Sequence, residues 1–248
     1  MSQAQRVALI TGSGRNIGRA VALQLARDGF DIALNGARDR AACDRVASEI
    51  TTAGRRAVVI MGDVGIKADA QRLAAETIAV LGSVDILVNN AAIRPAGGFL
   101  EMSDADFQRV IDVDLNGAIW LSRACLPGMI TRKWGRIVNF SGMNSIAGYA
   151  DRPAVSVAKH GAWGLTKVLA KEFAPHGITA NIISPGPIAP DAGSDPAMAA
   201  HINAQASKIP AGRLGTPDEI AALVSLLVSD GGAFISGQML QVNGATQT

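Results

Sequence analysis

Short apolar runs alternate along the chain with longer stretches whose apolar positions recur every three to four residues. RVALIT (6–11) has the length of a strand and little polar interruption. It leads into a Gly-rich turn and a helical pattern over about 16–28. DIALN (31–35) precedes a second helical pattern over about 40–53. AVVIM (57–61), DILVNN (85–90) and GRIVNF (135–140) repeat the theme, each flanked at its carboxyl end by Gly, Asp or Asn. A long helix is predicted from near Pro153 to about Pro175, because proline suits a first helical turn and stops a helix later. ITANIIS (178–184) and QMLQVN (238–243) bring the set to about seven strands. Strands that hardly alternate, separated by helices, predict a parallel sheet covered on both faces. The expected fold class is therefore α/β, a doubly wound parallel sheet with right-handed crossovers, as a single domain over 1–248. SPGPIAPDAGSDPAMA (184–199) follows a strand, which places it at the carboxyl edge of the sheet. A mobile lid and a plain surface loop both fit it. The substrate loop is expected over about 184–212.

Composition narrows the function classes. A chain of 248 residues, 48% apolar and 18% charged, can bury a large core and is not expected to be disordered. The net charge of +2 arises from interspersed charges, so neither a nucleic-acid nor a polybasic membrane footprint is expected. No run of eighteen apolar residues predicts a membrane span. Cys43 and Cys125 lie far apart in predicted helices and read as buried thiols of a reducing compartment. The first residues, MSQAQRVALITG, lack a signal-peptide pattern, and a soluble cytoplasmic protein is the expectation. No His, Cys or carboxylate spacing suggests a metal site.

TGSGRNIG (11–18) joins the first strand to the first helix. Gly12 permits a tight turn and Gly18 lets helix pack on strand. Exposed amides at the helix start, aided by the helix dipole, can hold a diphosphate. Gly12, Ser13, Gly14, Arg15, Asn16, Ile17 and Gly18 are the candidate cofactor residues here, although structural glycines alone also produce such turns. The segment resembles the short-chain dehydrogenase/reductase family, whose pattern is Thr-Gly, three residues, Gly-x-Gly. Asn16 stands in place of the middle glycine, and asparagine tolerates left-handed backbone better than most residues.

The resemblance then runs through nearly the whole chain. Asp63 and Val64 in GDV look like the pair that contacts adenine. NNAA (89–92), with Asn90 and Ala91, resembles the family's Asn-Asn-Ala-Gly strand end. SPGPI (184–188), with Pro185, Gly186 and Ile188, resembles the Pro-Gly motif that faces the nicotinamide. ISGQMLQVNGA (235–245) resembles the last strand and its turn. The resemblance implies a Rossmann-like sheet and a nicotinamide dinucleotide. It also implies a homo-oligomer, a dimer or tetramer formed through the helix of Lys159 and the one before it. HGAWGLTKVLAKEFA (160–174) can supply such a face or simply pack in the core.

The choice of dinucleotide turns on the second strand. NAD-specific members usually carry an acid at its end, on the ribose hydroxyls. Here LNGAR (34–38) has none before Asp39, and Arg15 and Arg38 can flank a 2′-phosphate. NADP(H) is thus favoured over NAD(H), although each arginine also fits a solvated surface.

In the family a Tyr exchanges the substrate proton, and a Lys four residues later lowers its pKa and binds the nicotinamide ribose. A Ser thirteen residues before the Tyr orients the substrate oxygen, and an Asn on an earlier helix holds a water behind the Lys. The spacing of four puts Tyr and Lys on one helix face, where an ammonium favours a phenolate. In this chain Lys159 is present, Val155 takes the Tyr position, Gly142 the Ser position and Asp114 the Asn position. General acid–base catalysis contributes ~10²–10⁴-fold, so very slow reduction of ordinary ketones is expected. Tyr149, the only tyrosine, is the best replacement acid or base, and it fits a pocket wall equally well. Asp114 can pair with Lys159 or act as a base. Ser141, Asn144 and Ser145 can bond a substrate oxygen, but serines in such loops more often satisfy backbone groups. His160 adjoins Lys159 yet lies about 100° round the helix. The 2,4-dienoyl-CoA reductases of this family also lack the Tyr and reduce a conjugated carbon–carbon bond. Three readings stand: an oxidoreductase with a non-standard site, a reductase of an activated C=C or C=N bond, and a catalytically silent binding protein. The small-molecule substrate is not named by the sequence.

Overall fold

Every side chain of β1 (Val7–Ile10) is buried, Val7 and Leu9 in one apolar layer, Ala8 and Ile10 in the other. A strand clad on both sides belongs in the middle of a sheet, and β1 lies there. The computed structural model describes residues 5–191 and 196–248, and for residues 144, 145, 196–198 and 201 the backbone alone.

The chain runs β1, α1 (Asn16–Arg27), β2 (Asp31–Gly36), α2 (Arg40–Thr52), β3 (Ala57–Met61), α3 (Lys67–Leu81) and β4 (Ile86–Asn89). α4 (Asp104–Ile111) follows and passes through a π-helical turn, Asp112–Asn116, into α5 (Gly117–Arg132). β5 (Gly135–Phe140), α6 (Asn144–Ala147), α7 (Pro153–Phe173), β6 (Ile178–Pro185), α8 (Pro196–Asn203), α9 (Pro217–Val228) and β7 (Met239–Val242) complete it. The seven strands form one sheet in the order β3-β2-β1-β4-β5-β6-β7, and every neighbouring pair is parallel. This is a single α/β domain with a Rossmann-like doubly wound sheet.

Two apolar layers sandwich the sheet. Val21 and Leu25 of α1, Val46 of α2 and Val224 of α9 cover one face. Leu73 of α3, Leu121 and Met129 of α5 and Leu169 of α7 cover the other. The strand order reverses beside β1, between β2 and β4. The carboxyl ends of β1 and β4 therefore open the crevice in which such sheets bind ligands.

The opposite edge is closed by charge pairs. Asp31, at the start of β2, accepts from Arg55 at 2.9 Å and Arg56 at 2.8 Å. Burial alone would raise its pKa, but the bonds from Arg56 and Arg55 outweigh that and hold the carboxyl below its ordinary value. Asp85, just before β4, accepts from Val7 N at 2.9 Å and from Arg132 at 2.6 Å.

The strands agree with the hydrophobic pattern to within a residue or two. The stretch 184–199 departs from it, because Pro196 opens helix α8 inside what the pattern marks as loop. Proline is suited to that first helical position. Residues 192–195 of the expected substrate loop lie outside the described residues. Cys43 in α2 and Cys125 in α5 are buried free thiols, and burial pushes Cys125 up to about 12. Among the described residues no helix is long and apolar enough to cross a membrane. Nor do the described residues hold a group of three His, Cys, Asp or Glu able to bind a metal.

Candidate active site

The turn after β1 is shaped by glycines and clamped by β4. Gly12 has φ +63°, and a Cβ on Gly18 would fall 2.2 Å from Gly12 O. Only glycine permits that approach of helix to turn. Thr11 Oγ1 accepts from the amides of Asn90 and Ala91, both at 3.0 Å. Asn90 Nδ2 donates to Thr11 O and Gly12 O, again at 3.0 Å. Thr11 thus joins the turn to the β4 strand end, a role that its Thr-Gly motif alone does not reveal.

Asn16 adopts φ +46°, the left-handed conformation expected of it, and opens α1. Arg15, the residue before, is extended and gives the helix no side-chain cap. The turn fits a diphosphate through its glycine-only approach and the exposed Arg15 beside it, although two helix-start amides are met within the chain, Asn16 N–H by Asp191 Oδ2 at 2.5 Å and Ile17 N–H by Asn16 Oδ1 at 2.9 Å. Ile17 packs partly buried on the α1 side of the core. Ser13 points the other way. It is fully buried, and both its amide and hydroxyl donate to Asn35 O, at 2.9 and 3.2 Å. Gly14 lies against α2, where a Cβ would meet Ala42 Cβ at 3.1 Å.

At the end of β2, Asp39 accepts from Ala42 N at 2.9 Å and caps α2. The first acid after β2 is thereby engaged by backbone. Arg15 and Arg38 are exposed, and among the described residues neither forms an ion pair. Asp63 accepts from Gly65 N at 2.9 Å and pairs closely with Arg109, while Val64 is buried under Gly117. At the end of β6, Gly186 N donates to Val242 O at 2.9 Å, and a Cβ on Gly186 would strike Asn243 Cα at 2.6 Å. Pro185 closes β6, and Ile188 bridges to Gly215.

Lys159 and Asp114 meet in the interior. Lys159 Nζ lies 3.2 Å from Asp114 Oδ2 and donates to Phe140 O at 3.2 Å. Asp114 Oδ1 accepts from Ile93 N at 2.8 Å, which ties in the root of the loop after β4. Asp114 Oδ2 thus faces the Lys159 ammonium as a buried ion pair. Burial pushes the Lys159 ammonium below its ordinary value; Asp114 opposes that and the nearby charge of Arg94 adds to it. Asp114 owes its place to the π-helical turn, whose extra residue per turn re-aims side chains. A small cavity beside the pair is lined by Thr11, Asn89, Asp114, Asn139, Phe140 and Ala162.

Val155 is only 2% exposed and packs with Val110, Ala154 and Ala158, against Ile93 and Phe107. Gly142 has φ +141°, a conformation that side-chain-bearing residues rarely adopt. Ser141 is buried, and its hydroxyl donates to Gly142 O at 3.1 Å. Tyr149 sits in the loop before α7, 42% exposed, and its amide donates to Ser156 Oγ at 3.2 Å. The side chains of Asn144 and Ser145 lie outside the described residues. His160 is exposed, with Nδ1 2.8 Å from Ser156 O, so it does turn away from Lys159. Arg152, at the start of α7, donates to Arg94 O at 2.6 Å and joins the two loops that border the site. No motif in the sequence marks this tie.

A doubly wound parallel sheet with a glycine turn at its switch point and a buried lysine below it defines a class of dinucleotide-binding proteins. Comparison with known proteins gives the family. Residues 12–246 match the family model described as enoyl-(acyl carrier protein) reductase. The 3-oxoacyl-[acyl-carrier-protein] reductase of Synechocystis is 36% identical over 242 residues, 96% of each chain. Nodulation protein G of Azospirillum brasilense is 36% identical over 243 residues, 97% of each chain. Among solved structures, acetoin dehydrogenase YohF of Salmonella typhimurium superposes with a TM-score of 0.90 at 32% identity, over 98% of this chain and 96% of that one. The chain belongs to the short-chain dehydrogenase/reductase family.

Proposed function

We propose that the protein is an NADP(H)-dependent oxidoreductase with a non-standard catalytic set, slow on ordinary ketones and alcohols. One observation carries this reading: Lys159 is retained and held from below by Asp114, while the residue four before it, Val155, is sealed in an apolar cluster. The bound dinucleotide supplies or accepts the hydride. Gly12, Gly14, Arg15, Asn16, Ile17 and Gly18 hold its diphosphate end, with Ser13 fixing the turn from behind. Arg15 and Arg38 favour a 2′-phosphate over a bare ribose. Asp63 and Val64 border the adenine, and Asn90, Ala91, Pro185, Gly186 and Ile188 border the nicotinamide half. Lys159 binds the ribose, and Asp114 keeps its ammonium charged and in place. Tyr149, the only tyrosine, stands in the loop before α7 and serves the proton, since Asp114 is engaged with Ile93 N and Lys159. Val157 and Val168 expose an apolar face of α7, 52% and 55% exposed, through which the chain assembles with copies of itself.

A second reading, reduction of a conjugated carbon–carbon bond, is favoured by the enoyl reductase description of the matching family model and by the missing acid at 155. There the proton goes to carbon and no carbonyl acid is required. A matched pair tests both: oxidation of NADPH with acetoacetyl and with crotonyl thioesters. Turnover of the first, abolished by Tyr149→Phe, supports the carbonyl reading. Turnover of the second alone supports the other. Turnover of neither, with NADPH bound, identifies a silent binding protein.

A further inference from the structure

The helix-start amide of Asn16 already has an anionic partner within the chain. Its N–H donates to Asp191 Oδ2 at 2.5 Å. Asn16 also grips the same segment through its side chain, since Nδ2 donates to Ala189 O at 3.0 Å. Glycine, which the family pattern places here, has no side chain to make that bond. The segment is delivered from a fixed base: Ala189 N donates to Gly215 O at 2.8 Å and Gly215 N donates to Pro187 O at 3.0 Å. The residue that departs from the family's glycine pattern is thus the one that draws the chain after β6 onto the nucleotide turn.

We propose that Asp191 is an internal anion which competes with the dinucleotide's diphosphate for the start of α1, so that Asn16 and Asp191 together set the cofactor affinity. The inference rests on the reading of the turn as a dinucleotide site. A helix start attracts negative charge through its free amides and dipole. Asp191 satisfies that attraction in the free protein. A carboxylate and a phosphate cannot share one N–H, and their charges repel at such a distance. Cofactor entry therefore requires that Asp191 leave and that the Ala189 contact loosen or shift. The apparent dissociation constant equals the intrinsic one divided by the fraction of molecules in which the contact is open. The contact also couples the two ends of the site. Filling the nucleotide turn frees the segment that follows the nicotinamide-facing Pro185–Ile188 stretch.

The test is a fluorescence titration of the full-length chain with NADPH, for the wild type, Asp191→Asn and Asp191→Ala. Thermal melts establish that each variant is folded, and the asparagine keeps the size of the side chain without its charge. Both variants should bind NADPH more tightly, by roughly five-fold or more. Binding that is unchanged or weaker in both folded variants overturns the competition while leaving the dinucleotide reading intact. No binding by wild type or variant at millimolar NADPH rejects the dinucleotide reading and the competition with it. Binding that appears only in the variants supports the proposal in its strongest form.

Discussion

Lys159 Nζ and Asp114 Oδ2 are 3.2 Å apart, with side chains only 4% and 0% exposed, so each charge depends on the other for its place in the interior. Removing one partner of such a buried pair leaves an uncompensated charge, which typically costs about 3–5 kcal/mol. Asp114→Ala should lower stability by that order, read from urea unfolding. Lys159→Met combined with Asp114→Leu should recover much of the loss, because both charges are then gone.

Restoring the family's tyrosine and serine should not be neutral. Val155 fills a dry cluster with Val110, Ala154 and Ala158, and a tyrosine there overpacks it at a cost of about 1–3 kcal/mol. Gly142 at φ +141° has open space for a Cβ but a backbone that serine adopts poorly, at a cost of order 1–3 kcal/mol. Val155→Tyr and Gly142→Ser should each lower the melting temperature. Melting curves equal to wild type for both would show that the site was built to hold the standard residues.

Arg15 and Arg38 stand exposed at the ends of the turn and of β2, without an ion pair among the described residues, while Asp39 is occupied as the cap of α2. Arg38→Ala should weaken NADPH binding about ten-fold, by loss of a charge-assisted bond, and leave NADH nearly unchanged. The measurement is a pair of fluorescence titrations. Equal loss for both cofactors would place Arg38 elsewhere than on a 2′-phosphate.

Acid should unfold the protein partly through Asp31. Its folded pKa is held below the ordinary 3.8 by Arg56 and Arg55, against the effect of burial. The unfolded chain therefore binds the proton first. The contribution to stability is fully present above about pH 4 and is lost as pH falls through the folded value. Urea midpoints should drop across that window, and Asp31→Asn should flatten the drop while lowering stability at neutral pH.

The sheet was legible because its strands are apolar on both faces and stop at turn residues, as β1 and β6 show. The nucleotide turn was legible because glycines at fixed spacing have a steric reason, visible at Gly18. Helix α8 was hidden by a Pro- and Gly-rich context. The partners of Asn16 were hidden too, because Asp191 lies far along the chain and no local pattern marks it. Thr11, Arg94 and Arg152 act through contacts between loops that only the fold brings together. Position 155 could be read as valine, but its burial against α4 follows from tertiary packing alone.

Binding of NADP(H) by a chain whose tyrosine position holds Val155 underlies every reading of the site given above. The most direct measurement is a titration of the wild-type chain with NADPH and with NADH, followed by fluorescence. Both cofactors should bind saturably, NADPH the tighter. No binding of either at millimolar concentration would contradict this.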